Sequence, residues 1–233
     1  MAAFAERHGI RYPLLADEGS EVIRALGLLN EEAAPAIAGI PHPGVFVLDQ
    51  DGIVTEKRFY ASYRERDTGV GILERALGIA TPRHGPETAA NGPALSARAW
   101  FDAESYAWGQ RLWLSIELTV APGYHINGPA APEGYIPLAL TIGLPERVVA
   151  GELRWPATRP LELAGLGERL EVYEGTVRVD IPITFMVADA GELEVAVTLT
   201  YQACTDVDCL PPESLSLALR LPETSLIERP KPS

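Results

Sequence analysis

The sequence predicts two domains of different class: a mixed α/β module over residues 1–80, then an all-β sandwich over residues 94–222. Three observations carry this reading. Helical spacing of apolar residues is confined to the first part and is clearest in "DTGVGILERALG" (67–78), where Val70, Leu73 and Leu77 fall on one face. From residue 94 the apolar period drops to two and stays there, the pattern of half-buried antiparallel strands. Between the two, "TPRHGPETAANGP" (81–93) has three prolines, two glycines and no apolar periodicity, so it reads as a linker.

In the first half, "MAAFAERHG" reads as the end of a helix stopped by Gly9, and "RYPLLAD" (11–17) as a short strand. "EGSEVIRALG" (18–27) is a helix closed by Gly27. "GVFVLDQDGIVTEKRFY" (44–60) is two strands around Asp51-Gly52, a strong hairpin signal. In the second half, Leu112, Leu114, Ile116, Leu118 and Val120 alternate first. Val177, Val179, Ile181, Ile183, Phe185 and Val187 follow, then Leu193 to Tyr201, then Leu215 to Leu221. With "LSARAWFD", "IPLALTIG", "GELRW" and "RLEVY" they make about eight short strands and no helix, which fits a β-sandwich. The tail "ETSLIERPKPS" (223–233) is expected to be loose.

The 233 residues are 47% apolar, enough for real cores. Lys plus Arg is 19 against 32 for Asp plus Glu, a formal charge of −13. Such a surface repels phosphates, so nucleic acid is not an expected partner. No apolar run reaches the roughly 18 residues needed to span a bilayer. No basic segment followed by an apolar stretch opens the chain, so no signal peptide is visible. The first residues resemble the middle of a helix, and the expectation is a fragment whose leader lies upstream.

Both cysteines lie in "YQACTDVDCLPPES" (201–214). They could be a metal site, a staple or a redox couple. A structural zinc site takes four Cys or His ligands in paired clusters. His8, His42, His84 and His125 are scattered, none near the cysteines in sequence, so no metal is expected. Strands 193–201 and 215–221 match in pattern and should form a hairpin whose loop is 202–213. Cys204 is then at a strand end and Cys209 in the loop, held by Pro211 and Pro212. Five positions across a turn can bring two Cα atoms within roughly 4.4–6.8 Å, the usual disulfide range.

As a staple so short a loop contributes only about 2 kcal/mol, against about 4.7 for a 100-residue loop. A lone pair meant for stability would do better bridging two sheets. Short, exposed hairpin disulfides tend to be the labile ones. A redox couple is therefore the preferred reading, with a static staple and two free thiols as alternatives. Asp206 and Asp208 between the thiols disfavour a further negative charge. The reduced cysteines are expected to titrate at or above about 8.5.

Two resemblances extend this reading. Residues 1–79, most specifically "IPHPGVFVLDQDG", resemble the C-terminal part of the redoxin (AhpC/TSA, peroxiredoxin-like) branch of the thioredoxin fold. This implies a truncated thioredoxin-like module over 1–80. The family places its peroxidatic cysteine, or a Cys-x-x-Cys pair, upstream of where this chain begins. No cysteine precedes Cys204, and Pro43 stands where peroxiredoxins carry an arginine. Without a thiolate nucleophile, this segment alone is expected to show no peroxidase or reductase activity. Pro43 lies where thioredoxin folds often keep a cis-proline, though "PHPG" also reads as a plain loop. His42 is a polar site residue or an ordinary loop histidine.

Residues 94–222 resemble the N-terminal periplasmic domain of the thiol-disulfide interchange protein DsbD. The resemblance rests on "PGYHINGP" (122–129), "VYEGTVRVDIPI" (172–183) and above all "YQACTDVDCLPP" (201–212). It implies an immunoglobulin-like sandwich whose Cys204 and Cys209 are the catalytic couple, working without cofactor or metal. The implied partner is a thioredoxin-like electron donor or acceptor, with a membrane-bound redox partner as a further candidate. The implied compartment is periplasmic or otherwise extracytoplasmic. In that family the second cysteine forms the partner bond, and Cys209 is the matching position. Some members have one more residue between the cysteines. "LELAGLGERL" (161–170) lies where the family carries a loop capping the disulfide; Leu163 and Leu166 would cover it, or the segment is an ordinary turn. His125 could polarise a thiol if its loop approached the cysteines, and otherwise is a structural histidine. Tyr124 and Tyr173 read as core or cap residues. Two other functions stay open: a thiol peroxidase or reductase whose nucleophile lies upstream, and a binding module with a static disulfide.

Overall fold

Residues 2–60, 65–82, 85–163 and 168–224 are described by the computed structural model, and the chain divides into two compact units, residues 1–63 and residues 64–233. In the first unit, helices α1 (Ala2–Arg7) and α2 (Glu21–Ala25) precede a hairpin of β1 (Gly44–Leu48) and β2 (Val54–Phe59). Both helices run out at glycines with positive φ, Gly9 at 62° and Gly27 at 68°, where an L side chain would be strained. The Asp49 carboxylate fixes the hairpin turn by accepting from the Asp51 and Ile53 N–H groups, each at 2.9 Å. The strand expected over 11–17 does not form. Pro13 supplies no donor to a ladder, and Asp17 accepts instead from the N–H groups of Val22 and Ile23. No peptide bond among the described residues is cis, so the bond before Pro43 is trans.

The second unit is built of β3 (Arg66–Asp67), α3 (Gly69–Ala76), β4 (Glu87–Asn91), β5 (Leu95–Phe101), β6 (Gln110–Val120), β7 (His125–Asn127), β8 (Ala139–Gly143), β9 (Val148–Ala150), β10 (Arg159–Leu163), β11 (Glu168–Tyr173), β12 (Thr176–Phe185), β13 (Leu193–Tyr201), β14 (Ala203–Cys204) and β15 (Glu213–Leu221). One sheet has the order β4-β5-β6-β12-β9, with β3 joining β6 in parallel; a second is β15-β13-β8; a third is β10-β11-β7-β14.

The period-two pattern sets the register. Leu112, Leu114 and Ile116 on β6 lie opposite Ile183, Ile181 and Val179 on β12, and all six are fully buried. Val195, Val197 and Leu199 on β13 join them in one core with Leu217, Leu219 and Leu221 on β15. A slip of one residue would turn every one of these side chains to solvent. Strands β13 and β15 pair over their full length, Leu193 to Leu221 and Tyr201 to Glu213, as the matched patterns anticipate.

Two elements of this unit differ from the sequence reading. Glu87–Asn91, inside the proline- and glycine-rich stretch 81–93, pairs with β5 as an edge strand; its small side chains carry no apolar alternation to reveal it. Residues 151–155 are not a strand. The continuous pairing with β12 falls instead on Val148–Ala150; beyond it only the Gly151 N–H, which donates to the Pro182 carbonyl, and a single bridge from Arg154 to Asp180 keep the chain along β12. The tail 225–233 and the centre of the capping-loop segment, including Leu166, lie outside the described residues.

Helix α3 lies in the second unit and presents a different face from the one its apolar pattern suggests. Leu73 and Leu77 are exposed, whereas Gly71 is buried. The reason is polar. Thr68 caps the helix by accepting from Gly71 N–H and donating to the buried carboxylate of Asp102, which also accepts from Trp113 N–H. One turn later the Arg75 guanidinium stacks on Trp113 at 4.3 Å and donates to Asp180 at 2.9 Å. A Cβ on Gly71 would come within 2.8 Å of the Trp113 ring, so this close approach needs glycine.

Burial pushes the Asp102 carboxyl above the ordinary aspartate value of 3.8, despite the opposing hydrogen bonds from Thr68 and Trp113. The folded state therefore holds this proton more tightly than the unfolded state. That stability is fully present below about 3.8 and is lost as pH rises through the raised value. Asp102→Asn should reduce the fall in urea midpoint between pH 4 and pH 7, while Asp102→Ala should destabilise at both pH values. An asparagine variant with the wild-type pH dependence would contradict this.

Candidate functional site

The chain between β13 and β15 crosses from one sheet to another. After Tyr201 it enters β14, which pairs with β7 through Ala203 opposite Ile126 and Cys204 opposite His125. It then reverses through Thr205–Asp206–Val207–Asp208, so that Cys209 returns opposite Cys204 as an antiparallel bridge. The reversal follows from Thr205, whose hydroxyl accepts the N–H groups of Val207 and Asp208 at 3.3 and 3.1 Å. Thr205 N–H donates to the Asp208 carbonyl at 2.7 Å, and Leu210 N–H to the Ala203 carbonyl at 2.9 Å. Gln202 adds a side-chain bond to the Leu210 carbonyl at 2.9 Å.

Cys204 and Cys209 are joined as a disulfide with Cα atoms 3.9 Å apart. This is closer than the range expected from the sequence. Two backbone hydrogen bonds bracket the bridge, which makes it a non-hydrogen-bonded cross-strand pair, the register of closest Cα approach. The two sulfurs have unlike surroundings. Cys204 is buried, 4% exposed, while Cys209 is exposed at the surface. The apolar surface beside Cys209 comes from Val207, 87% exposed. Leu210, the residue after Cys209, is half-buried against the core.

His125 is the site residue whose role the sequence left most open. It is 4% exposed and stands directly across the ladder from Cys204. Burial lowers its imidazole below the ordinary value of 6.5, while the carboxylates of Glu174 and Asp206 pull it back up. Only a three-residue strand, too short for a periodicity signal, brings it there. Tyr124 is half-buried against the core. Tyr173 is buried, stacks with Trp155 and donates its hydroxyl to the Pro156 carbonyl at 2.8 Å, which marks it as structural. In the first unit His42 is half-buried and its backbone N–H donates to the Leu28 carbonyl. No helix among the described residues is long and apolar enough to cross a membrane.

Residues 93–220, more than half of the chain, match the family model for "Thiol:disulfide interchange protein DsbD, N-terminal", and residues 1–57 match the AhpC/TSA family. No curated protein matches. Among solved structures, the N-terminal periplasmic domain of ScsB from Proteus mirabilis is 18% identical, with a TM-score of 0.42 over 57% of this chain and 51% of that one. This chain thus spans about half the length of that relative. The GAE domain of GGA2p from Saccharomyces cerevisiae is 14% identical, with a TM-score of 0.35 over 57% and 96% of the two chains. The reduced DsbD N-terminal domain of Neisseria meningitidis is 16% identical, with a TM-score of 0.31 over 64% and 94%.

Proposed function

The chain belongs to the DsbD N-terminal family, and we propose that it is a two-electron carrier that exchanges disulfides with protein partners through Cys204 and Cys209. One observation carries this reading: a short disulfide loop with one cysteine exposed and the other buried. Thiol-disulfide exchange needs a sulfur that an incoming thiolate can reach and a second sulfur that leaves. Cys209 takes the first role and Cys204 the second. The partner is a thioredoxin-like protein whose thiol lies in a surface that accepts Val207. The compartment is extracytoplasmic, where such a couple can be oxidised. The first unit is read as part of a thioredoxin-like module, supported by the AhpC/TSA match over residues 1–57.

The test is transfer of electrons from a reduced thioredoxin-fold protein to the oxidised chain, followed by counting free thiols. Two thiols should appear per chain. Val207→Asp removes the apolar contact and should slow transfer about tenfold, the equivalent of one lost valine burial. Its rate with dithiothreitol should not change. A disulfide that no thioredoxin-fold dithiol reduces would contradict the proposal.

A further inference from the structure

Cys204 has a cross-strand neighbour on each side, Cys209 on one and His125 on the other. Directly opposed residues project from the same face of a sheet, with Cβ atoms about 4.5–5.5 Å apart. His125, Cys204 and Cys209 therefore form a row in which the first two are buried and the third is exposed. Glu174, one residue past the last β11–β7 pair, lies on the far side of His125 and is partly exposed, its carboxylate held by the Arg159 guanidinium. Asp206 acts on the imidazole from the turn. Among the described residues these are the charged groups that act on His125 from the elements around it.

Resting on the reading of the pair as a redox couple, we propose that His125 is the proton acceptor for the Cys204 thiol when Cys204 resolves a mixed disulfide held on Cys209. In that step the Cys204 S–H bond breaks and its proton passes to the neutral imidazole. The Cys204 sulfur attacks the Cys209 sulfur, the Cys204–Cys209 bond forms, and the bond from Cys209 to the partner breaks. The partner leaves as a thiolate, and the imidazolium returns its proton to solvent. Cys204 is oxidised and the partner sulfur is reduced. In the opposite direction an imidazolium protonates Cys204 as it departs.

Two features make a base necessary and this one suitable. Cys204 is buried beside an acidic turn, so its thiolate is disfavoured. Because burial outweighs Glu174 and Asp206, the imidazole is neutral at pH 7 and free to take a proton.

The probe is glutathione disulfide added in excess to the fully reduced chain. Acid quenching and mass spectrometry give the rate at which the glutathionylated species closes to the Cys204–Cys209 disulfide. The wild-type rate should rise as the imidazole deprotonates below about 6.5, then stay level until the thiol itself ionises. His125→Gln should lose the level region and be about a hundredfold slower at pH 7. A variant with the wild-type pH profile would overturn the proposal.

Should that variant fail to fold, the Cys209→Ser chain decides. Its His125 imidazole signals should show a second inflection where Cys204 ionises, absent from the Cys204→Ser/Cys209→Ser chain. No such inflection would also overturn the proposal. If the wild type fails to exchange with a thioredoxin-fold protein yet shows the level region with glutathione, the carrier reading falls and the role of His125 stands. If it exchanges but shows no level region, the carrier reading stands and the role of His125 falls.

Discussion

Cys204→Ser should accumulate a covalent complex with a thioredoxin-fold partner whose thiol has been activated, and Cys209→Ser should accumulate almost none. The difference follows from access. In the first variant the remaining thiol, Cys209, is at the surface beside the exposed Val207, where an incoming sulfur can align for in-line attack. Without Cys204 nothing resolves the product, so it persists. In the second variant the remaining thiol is 4% exposed, between the ladder position of His125 and the turn. Access and position decide which sulfur reacts, and a ratio of at least about tenfold in trapped complex is expected. Mass spectrometry of the two mixtures measures it. Equal trapping, or trapping through Cys204 alone, would overturn the assignment of the two sulfurs.

A chain beginning at residue 93, the start of the family match, should be much less stable than one beginning at residue 65. The segment between them is part of the second unit's structure. Glu65 pairs with Arg111 at 2.8 Å, Arg66–Asp67 extends the sheet at β6, and Glu87–Asn91 covers the edge of β5. Removing α3 leaves the Trp113 face without the Arg75 guanidinium and Asp102 without the Thr68 hydroxyl. A hydrogen bond to a charged group contributes about 1.5–3 kcal/mol, and a desolvated guanidinium–indole stack about 2. The loss should be at least about 3 kcal/mol, read as a lower urea midpoint. Equal midpoints would show that α3 and β4 are accessory.

The parts of this molecule that were legible in its sequence are those with long repeats. Strands such as Gln110–Val120 and Leu193–Tyr201 alternate over nine or more residues, enough to fix face and register. The two cysteines were legible because a hairpin had to join two matched strands across them. What the sequence hid falls into two kinds. Strands of two or three residues, β7 and β14, carry no period, so the meeting of His125 and Cys204 depends on long-range pairing that no local pattern encodes. The buried face of α3 was hidden because polar contacts choose it. An apolar pattern points to Leu73 and Leu77, but the threonine cap and the stacked arginine turn the helix onto Gly71.

The reduction potential of the Cys204–Cys209 pair in the full chain tests the central claim most directly. The chain is equilibrated with mixtures of reduced and oxidised glutathione or thioredoxin, quenched with acid, and its dithiol fraction measured. Structural disulfides sit below about −300 mV, and exposed, exchangeable ones above it. A carrier with an exposed Cys209 should titrate reversibly as a two-electron couple above that limit. A pair that stays oxidised throughout, with a potential below about −300 mV, would be a static staple and would contradict the account.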